Sequence, residues 1–480
     1  MRLEVCVHYI GSLLVLNGTA MLLSAAIALG YTDGSFDILM VSGLITAGFG
    51  VLPWLFVPNV KDISLKEAVL IVAGAWLALS FAGAIPFYLY GQPFNFINAL
   101  FESVSGYTTT GSSILEDIES LPKGLLFWRS LTHALGGMGI IVLGIAILPA
   151  LSKISSNLMK QEYSGLVAQP LFPRARTISQ VLLLVYLGLI ALQTSFLLLT
   201  GLSWFDAVTT AFGTIATGGF SVRNLSIASY NNLAVEIIVM VFMTVSGMNF
   251  AFLFALLMRR GQKIYGWETA KVYLSLQVVF IILVTVLIHG KIYQRWGEAL
   301  RYAAFQLLSV GTSTGFATAD SSVWTPPAHM ILVFLTLLCA CAGSTSGGIK
   351  VDRLVLYWKL CRQNVRSLIH PRMIQTIRMD GAALDLEAAK TAMLFIVSYL
   401  LIIAVSTSFL ALNGAEMLDA FSGSAACMGN VGPGLGKVGS MGNYSSISGS
   451  GKLILSLVMI IGRLEIFVLV LPFTRNFWKV

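Results

Sequence analysis

Tyr107-Thr108-Thr109-Thr110-Gly111-Ser112-Ser113 sets a run of hydroxyls around one glycine, between flanks that are almost wholly apolar. Such a turn has an evident chemistry. Backbone carbonyls and threonine hydroxyls stacked in rings replace the hydration shell of a cation such as potassium. The pattern recurs at Ala216-Thr217-Gly218-Gly219-Phe220, Thr312-Ser313-Thr314-Gly315-Phe316 and Gly429-Asn430-Val431-Gly432-Pro433. Each copy closes a short segment that opens near Asn98, Asp206, Tyr302 or Asp419. The candidate ion ligands are therefore Thr109, Thr110 and Gly111; Thr217, Gly218 and Gly219; Ser313, Thr314 and Gly315; and Asn430, Val431 and Gly432. Glycine suits the third place because carbonyls aimed at one axis from consecutive residues need left-handed backbone, which a β-carbon resists. One such glycine alone reads equally well as an ordinary loop residue; four in matched positions favour a shared task. A turn of this kind at membrane depth must be buried in protein or line a water-filled path, since lipid satisfies no backbone hydrogen bond. Four around one axis make a pore.

The elements that must hold these turns follow from composition. Of 480 residues 56% are hydrophobic and only 11% charged, against roughly 25% charged in a soluble domain. The chain is read as an all-α polytopic membrane protein and not as an enzyme. Its formal charge of +8 does not imply nucleic acid, because the basic residues sit in short loops between apolar spans and act as topology signals. The five cysteines (Cys6, Cys339, Cys341, Cys361, Cys427) form no CxxC pair, which speaks against a disulfide framework. Met1-Arg2 and the apolar run behind it imitate a signal peptide, but the run has spanning length and no clear cleavage site, so it is read as a retained first helix.

Two spans, about 7–30 and 37–58, come first and hold no pore turn between them. A repeated unit then runs four times: long apolar helix, short amphipathic segment, hydroxyl-rich turn, long apolar helix. The pairs fall at about 67–90 and 125–150, 177–201 and 233–258, 268–289 and 326–349, and 391–412 and 452–474, which makes ten spans. The expected divisions are 1–62 for the N-terminal helix pair, then pore units at 63–152, 153–262, 263–380 and 381–480. The intervening segments, such as Phe94 to Gly106, reach roughly 20 Å as helices, too short for a ~30 Å hydrocarbon core. They must dip in and return. Their C-terminal ends then aim partial negative charge at the membrane centre, which favours a cation. Basic residues on alternate loops (Lys61, Lys66; Lys153, Lys160, Arg174, Arg176; Arg259, Arg260, Lys263; Lys359, Arg362, Arg366, Arg372, Arg378; Arg475, Lys479) put those loops and both termini in the cytoplasm, with all four turns opening from outside. Inverted-repeat carriers, whose halves point oppositely, do not fit.

With the four units, one glycine per turn, the extra N-terminal pair and Gly343-Ser344-Thr345-Ser346-Gly347-Gly348 inside the third unit, nearly the whole chain resembles the Trk/Ktr/HKT superfamily of potassium and sodium transporters, most closely the bacterial TrkH-type membrane subunit. In that superfamily serine at the first filter glycine accompanies sodium passage in some plant members. Here the position is Gly111, so the resemblance implies potassium as the transported ion. It also implies the inner membrane of a bacterium, a homodimer, and a cytosolic nucleotide-binding regulatory subunit of TrkA type docked on the basic stretches Lys153–Arg176 and Lys359–Arg378. Regulation by nucleotides would belong to that partner; no organic cofactor is expected in this chain.

Adjacent glycines and three hydroxyl residues at Gly343 to Gly348 interrupt what would otherwise be one helix from about Pro327 to Leu360. The run is a packing kink or, as the resemblance implies, a loop beneath the filter that gates it, with Lys350, Asp352 and Arg353 coupling it to the cytoplasmic face. Arg463 and Glu465 lie in the last span, where ionisable groups are costly. They form a structural pair reaching Glu102 or a backbone carbonyl, or, as the resemblance implies, Arg463 is a fixed positive charge below the filter steadied by Glu465.

Other motifs carry less. Gly434-Leu435-Gly436-Lys437-Val438-Gly439 spells a dinucleotide motif but follows no strand and opens no helix, and no Ser or Thr follows Lys350 to complete a phosphate loop. His8, His133, His289, His329 and His370 lack metal-ligand spacing. An intramembrane hydrolase built on Ser344, Ser346 and His133 has no coupling motif. A proton- or sodium-coupled symporter is the stronger rival, but would need buried carboxylates beyond Glu102, Glu236 and Glu465.

Overall fold

The computed structural model describes residues 1–57, 63–152, 175–257, 266–370, 378–380, 382–383 and 386–478. Helices α1 (Leu3–Tyr31) and α2 (Phe36–Phe56) form an antiparallel pair whose backbones approach closely: Gly11 faces Gly50 and Gly18 faces Gly43. Small residues permit such packing where lipid supplies no hydrophobic drive between helices.

The four units follow in order. Unit 1 is α3 (Leu65–Tyr90), pore helix α4 (Phe96–Tyr107) and α5 (Lys123–Ser152). Unit 2 is α6 (Ala175–Leu199), pore helix α7 (Trp204–Ile215), α8 (Leu233–Ser246) and α9 (Phe250–Leu257). Unit 3 is α10 (Trp267–Ile288), pore helix α11 (Trp296–Gly311), α12 (Pro326–Leu338) and α13 (Val351–Ile369). Unit 4 is α14 (Leu386–Leu412), pore helix α15 (Met417–Met428), α16 (Gly449–Leu464) and α17 (Ile466–Val470). Among the described residues the only β-structure beyond an isolated bridge is a two-stranded hairpin, Arg378–Met379 against Ala382–Ala383.

Local sequence explains where helices start. Ser64 and Glu67 form a reciprocal capping box at α3, and Arg2 closes an ion pair on the same Glu67 at 3.0 Å. Asn95 and Ser203 cap their pore helices by accepting from the N–H groups of Asn98 and Asp206. At 12 to 16 residues the pore helices are about 18–24 Å long and cannot cross the bilayer.

Three of the expected long helices differ. The span expected at 233–258 is broken after Ser246, and its halves meet at 102°. Gly247 ends α8, and the Asn249 side chain caps α9 by accepting from the N–H groups of Ala251 and Phe252. The span expected at 452–474 bends by 114° at Glu465, whose φ of 60° stops the helix. In unit 3 the interruption is wider than Gly343–Gly348: helical structure stops at Leu338 and resumes at Val351, with positive φ at Cys339, Gly343, Gly348 and Lys350. Six continuous helices and these two bent pairs are long and apolar enough to cross a membrane among the described residues. The loop residues Lys61, Lys153, Lys160, Arg174, Arg259, Arg260, Lys263, Arg372 and Lys479 lie outside the described residues.

Candidate functional site

Each pore helix ends the same way. Thr110 N–H reaches back to Ser105 O at 2.9 Å, Gly218 to Gly213 at 2.8 Å, Thr314 to Ser309 at 2.8 Å and Val431 to Ala426 at 2.9 Å. The preceding residues, Thr109, Thr217, Ser313 and Asn430, bond three residues back and are left-handed, with φ between 51° and 57°. This is the paired closure of a Schellman motif, which ordinarily takes glycine at its left-handed position. A residue with a β-carbon there costs roughly 1–2 kcal/mol, so the fold retains a side-chain oxygen at four equivalent places against a conformational preference. The sequence reading missed this, because only the downstream glycines announced left-handed backbone.

Those glycines follow two residues later, with φ of 81° at Gly111, 76° at Gly219, 81° at Gly315 and 93° at Gly432. A β-carbon on Gly111 would run into the carbonyl of Gly218, on Gly219 into that of Thr314, on Gly315 into that of Val431, and on Gly432 into that of Thr110. The contacts close a ring through units 1, 2, 3 and 4 and back to 1. All four glycines line one shared vestibule. The four units thus stand in pseudo-fourfold arrangement about one axis, and the candidate ligands come together in a single constriction.

Behind the ring, Arg129 and Glu102 form a fully buried ion pair at 2.6 Å. Glu102 also accepts from Ser113 Oγ and the Ile114 N–H, while Arg129 donates to Ser221 O and lies over the Phe220 ring. Unit 1 is thereby fastened to unit 2 just beyond their turns. Nothing in the sequence tied Arg129 to this task. His133 stacks on Phe220 with ring centroids 4.1 Å apart and serves packing. The other carboxylates singled out in the spans are likewise held: Glu236 by Arg301 at 2.6 Å, and Glu465 by Lys350 and Arg353 at 2.9 Å each.

Across the other face of the ring lies the interrupted stretch of unit 3. Ile349, Lys350 and Val351 donate back to the carbonyls of Leu337, Leu338 and Ala340, so the chain leaves α12, makes a buried excursion and returns. Its tip touches the turns. Thr345 Oγ1 donates to Ile215 O at 3.0 Å and accepts from Thr217 Oγ1 at 3.2 Å; Gly347 N–H donates to Ser313 Oγ at 3.3 Å; a β-carbon on Gly347 would meet Gly429 O. Ser344 and Ser346 bond each other rather than the turns. Gly343 and Gly348 supply left-handed backbone at the two ends.

Arg463 is buried and donates to Thr345 O in this loop and to Gly136 O of α5 at 3.2 Å. The expectation that Glu465 steadies it is corrected: Glu465 turns away to Lys350 and to Arg353 at the start of α13, because the helix that carries Arg463 ends at Leu464 and Glu465 is left-handed. Glu102 is taken by Arg129, so Arg463 meets carbonyl oxygens rather than a carboxylate. Asp352 accepts from Ala342 N–H at 2.6 Å, within the loop's own base.

A family model described as TrkH, cation transport protein, matches residues 39–479. The Trk system potassium uptake protein TrkH of Vibrio parahaemolyticus is 33% identical and that of Escherichia coli K12 32%, each over the full length of both chains. The Trk system potassium uptake protein TrkG of E. coli K12 is 30% identical over all of this chain and 99% of its own. The crystal structure of the potassium transporter TrkH from V. parahaemolyticus superposes with a TM-score of 0.90 at 32% identity, covering both chains completely.

Proposed function

This chain belongs to the TrkH family of cation transport proteins, and on that footing we propose that it takes up potassium across the cytoplasmic membrane of a bacterium through one four-turn selectivity filter. Potassium is the substrate, and no organic cofactor is assigned to this chain. The observation that carries the reading is the closed ring in which each filter glycine abuts the carbonyl of the next unit. On this reading the carbonyls of the four turns face one axis in tiers of four, which is what replacing a potassium hydration shell demands. The side chains of Thr109, Thr217, Ser313 and Asn430 add oxygens below the carbonyls.

The remaining assignments follow from this reading. The units are 63–152, 153–262, 263–380 and 381–480, preceded by the helix pair within 1–62. The turns open outward and both termini are cytoplasmic, as loop charge indicates. The Gly343–Gly348 loop closes the inner mouth of the filter, and Arg463 adds a positive charge there. Its partners are a second copy of the chain and a cytosolic nucleotide-binding ring of TrkA type, which controls the loop. Downhill conduction is favoured over proton- or sodium-coupled symport because Glu102, Glu236 and Glu465 are each held by arginine or lysine, leaving those carboxylates poorly placed to pass protons.

Purified protein in liposomes with a potassium gradient and no proton or sodium gradient tests the proposal. Flux proportional to driving force is expected; flux that needs a second ion gradient favours the symporter. In the same assay Arg463→Gln is expected to raise potassium flux per folded molecule severalfold, since a buried positive charge near the axis repels the permeating ion. A variant that merely yields less folded protein, with unit flux unchanged, would make Arg463 a structural residue only.

A further inference from the structure

The break in unit 2 lies against the base of the gate loop, and the two are bonded together. Cys341 N–H donates to Gly247 O at 3.1 Å, Phe250 N–H donates to Gly343 O at 3.0 Å, and between them Asn249 Nδ2 donates to Ala342 O at 2.9 Å. The fit is close: a β-carbon on Gly343 would collide with the Asn249 side chain. The same side chain has a second task, because its Oδ1 caps α9 through the N–H groups of Ala251 and Phe252. One amide therefore joins the first turn of a helix to the backbone of a loop in another unit.

We infer that Asn249 is a latch, a positioning residue that holds the unit 3 loop across the pore and lets α9 move it. The inference rests on the gating role proposed for that loop. A helix running on unbroken from α8 would carry its own backbone bonds past Gly247 and offer nothing to Ala342, so the 102° bend is what turns a carbonyl, an N–H and an amide toward the loop. Beyond the latch, α9 packs on α6: Phe250 lies among Leu182, Val185 and Tyr186. Phe252 stacks on Trp267 at the start of α10, with ring centroids 6.1 Å apart. A displacement at these ends of α6 or α10 therefore reaches Asn249 through one short rigid helix, and from Asn249 the base of the loop.

The two tasks of the side chain separate by substitution. Asn249→Asp keeps a good cap, since a carboxylate at a helix N-terminus accepts the same N–H groups and suits the helix dipole. It loses the donor to Ala342 O. Asn249→Ala loses both. Cys341 supplies a built-in reporter: it is buried at 2% exposure and its own N–H belongs to the same junction. The measurements are labelling of Cys341 by a membrane-permeant maleimide, read by mass spectrometry of that peptide, and potassium flux per folded molecule in liposomes. Both variants are made in the full chain and in the chain lacking Ser344–Gly347.

Loss of one neutral hydrogen bond shifts a two-state equilibrium about fivefold, so Asn249→Asp and Asn249→Ala should each raise Cys341 labelling and potassium flux by roughly that factor, and neither should add to the flux of the deletion. Wild-type labelling and flux in Asn249→Asp would overturn the latch and leave Asn249 a helix cap. Raised labelling with unchanged flux, where the deletion does raise flux, would also overturn it, since the loop would then move without Asn249 controlling the gate. Raised labelling with flux flat in the deletion as well would support the latch as a grip on the loop and sink only the gating role.

Discussion

Gly111→Ser is expected to lower the potassium-to-sodium permeability ratio about tenfold or more while leaving a conducting protein. The backbone at Gly111 is left-handed, with φ at 81°, where a β-carbon costs roughly 1–2 kcal/mol. The larger effect is positional. The new carbon would overlap the Gly218 carbonyl of the neighbouring turn, so that carbonyl must rotate or the two turns must part. Either movement opens one quarter of a coordination ring, and a ring widened on one side no longer holds potassium and sodium at different cost. A tenfold change corresponds to ~1.4 kcal/mol, well within what one displaced carbonyl supplies. Reversal potentials under bi-ionic conditions measure it. An unchanged ratio in protein that folds and conducts would remove Gly111 from the filter.

What the sequence disclosed about this site is what repetition can disclose. Four glycine-centred turns at matched distances from four short segments, three of them with hydroxyl residues, were visible because a glycine amid apolar residues is a strong local mark, and the pseudo-fourfold ring follows once the four are taken together. The left-handed backbone at Thr109, Thr217, Ser313 and Asn430 had no such mark. Those conformations are imposed by the closing bonds to Gly106, Thr214, Val310 and Cys427, a consequence of how the pore helix ends and not of residue preference. Helix breaks divide in the same way. The Gly343–Gly348 run was legible from its two adjacent glycines, but its true extent, from Cys339 to Lys350, is set by return pairing with Leu337, Leu338 and Ala340. The break at Glu465 was not legible at all, because a glutamate with φ at 60° is held there by Lys350 and Arg353 of another unit. Gly247 and Asn249 did carry a signal, a helix stop followed by a helix cap, hidden in an otherwise continuous apolar run.

The buried charges show why partners escaped the sequence reading even where the residues did not. Glu102, Arg463 and Glu465 stood out as costly in a membrane, yet their pairing depends on which helix faces which. Glu102 goes to Arg129 and Glu465 to the start of α13, while Arg463 is left with the carbonyls of Thr345 and Gly136. A guanidinium bonded only to carbonyl oxygens retains its positive field, whereas one closed on a carboxylate largely loses it. The arrangement therefore puts uncompensated positive charge beside the loop tip and hands the negative charge of Glu465 to Lys350 and Arg353, which anchor the far end of the same loop.

Removing Ser344 to Gly347 is expected to raise potassium flux tenfold or more and to leave selectivity intact. The deleted residues carry the bonds of the loop tip: Thr345 to Ile215 O and Thr217 Oγ1, Gly347 to Ser313 Oγ, and Thr345 O to Arg463 of α16. What remains is the part that holds the loop's ends, the return pairing of Ile349 and Lys350 with Leu337 and Leu338 and the junction of Ala342 and Gly343 with unit 2. The shortened chain can thus stay anchored while its obstructing tip is gone. The proposed filter loses neither a glycine nor a carbonyl, so the oxygen rings to which ion discrimination is assigned persist, while Ser313 Oγ loses the Gly347 N–H that it accepts. Flux should also depend less on any cytoplasmic regulator, because the element such a regulator moves no longer reaches the axis. Flux assays normalised to folded protein, with bi-ionic potentials on the same preparation, decide the matter. A loop that merely packs would yield misfolded or inactive protein when shortened, and unaltered or lower flux with selectivity preserved would sink the gating role.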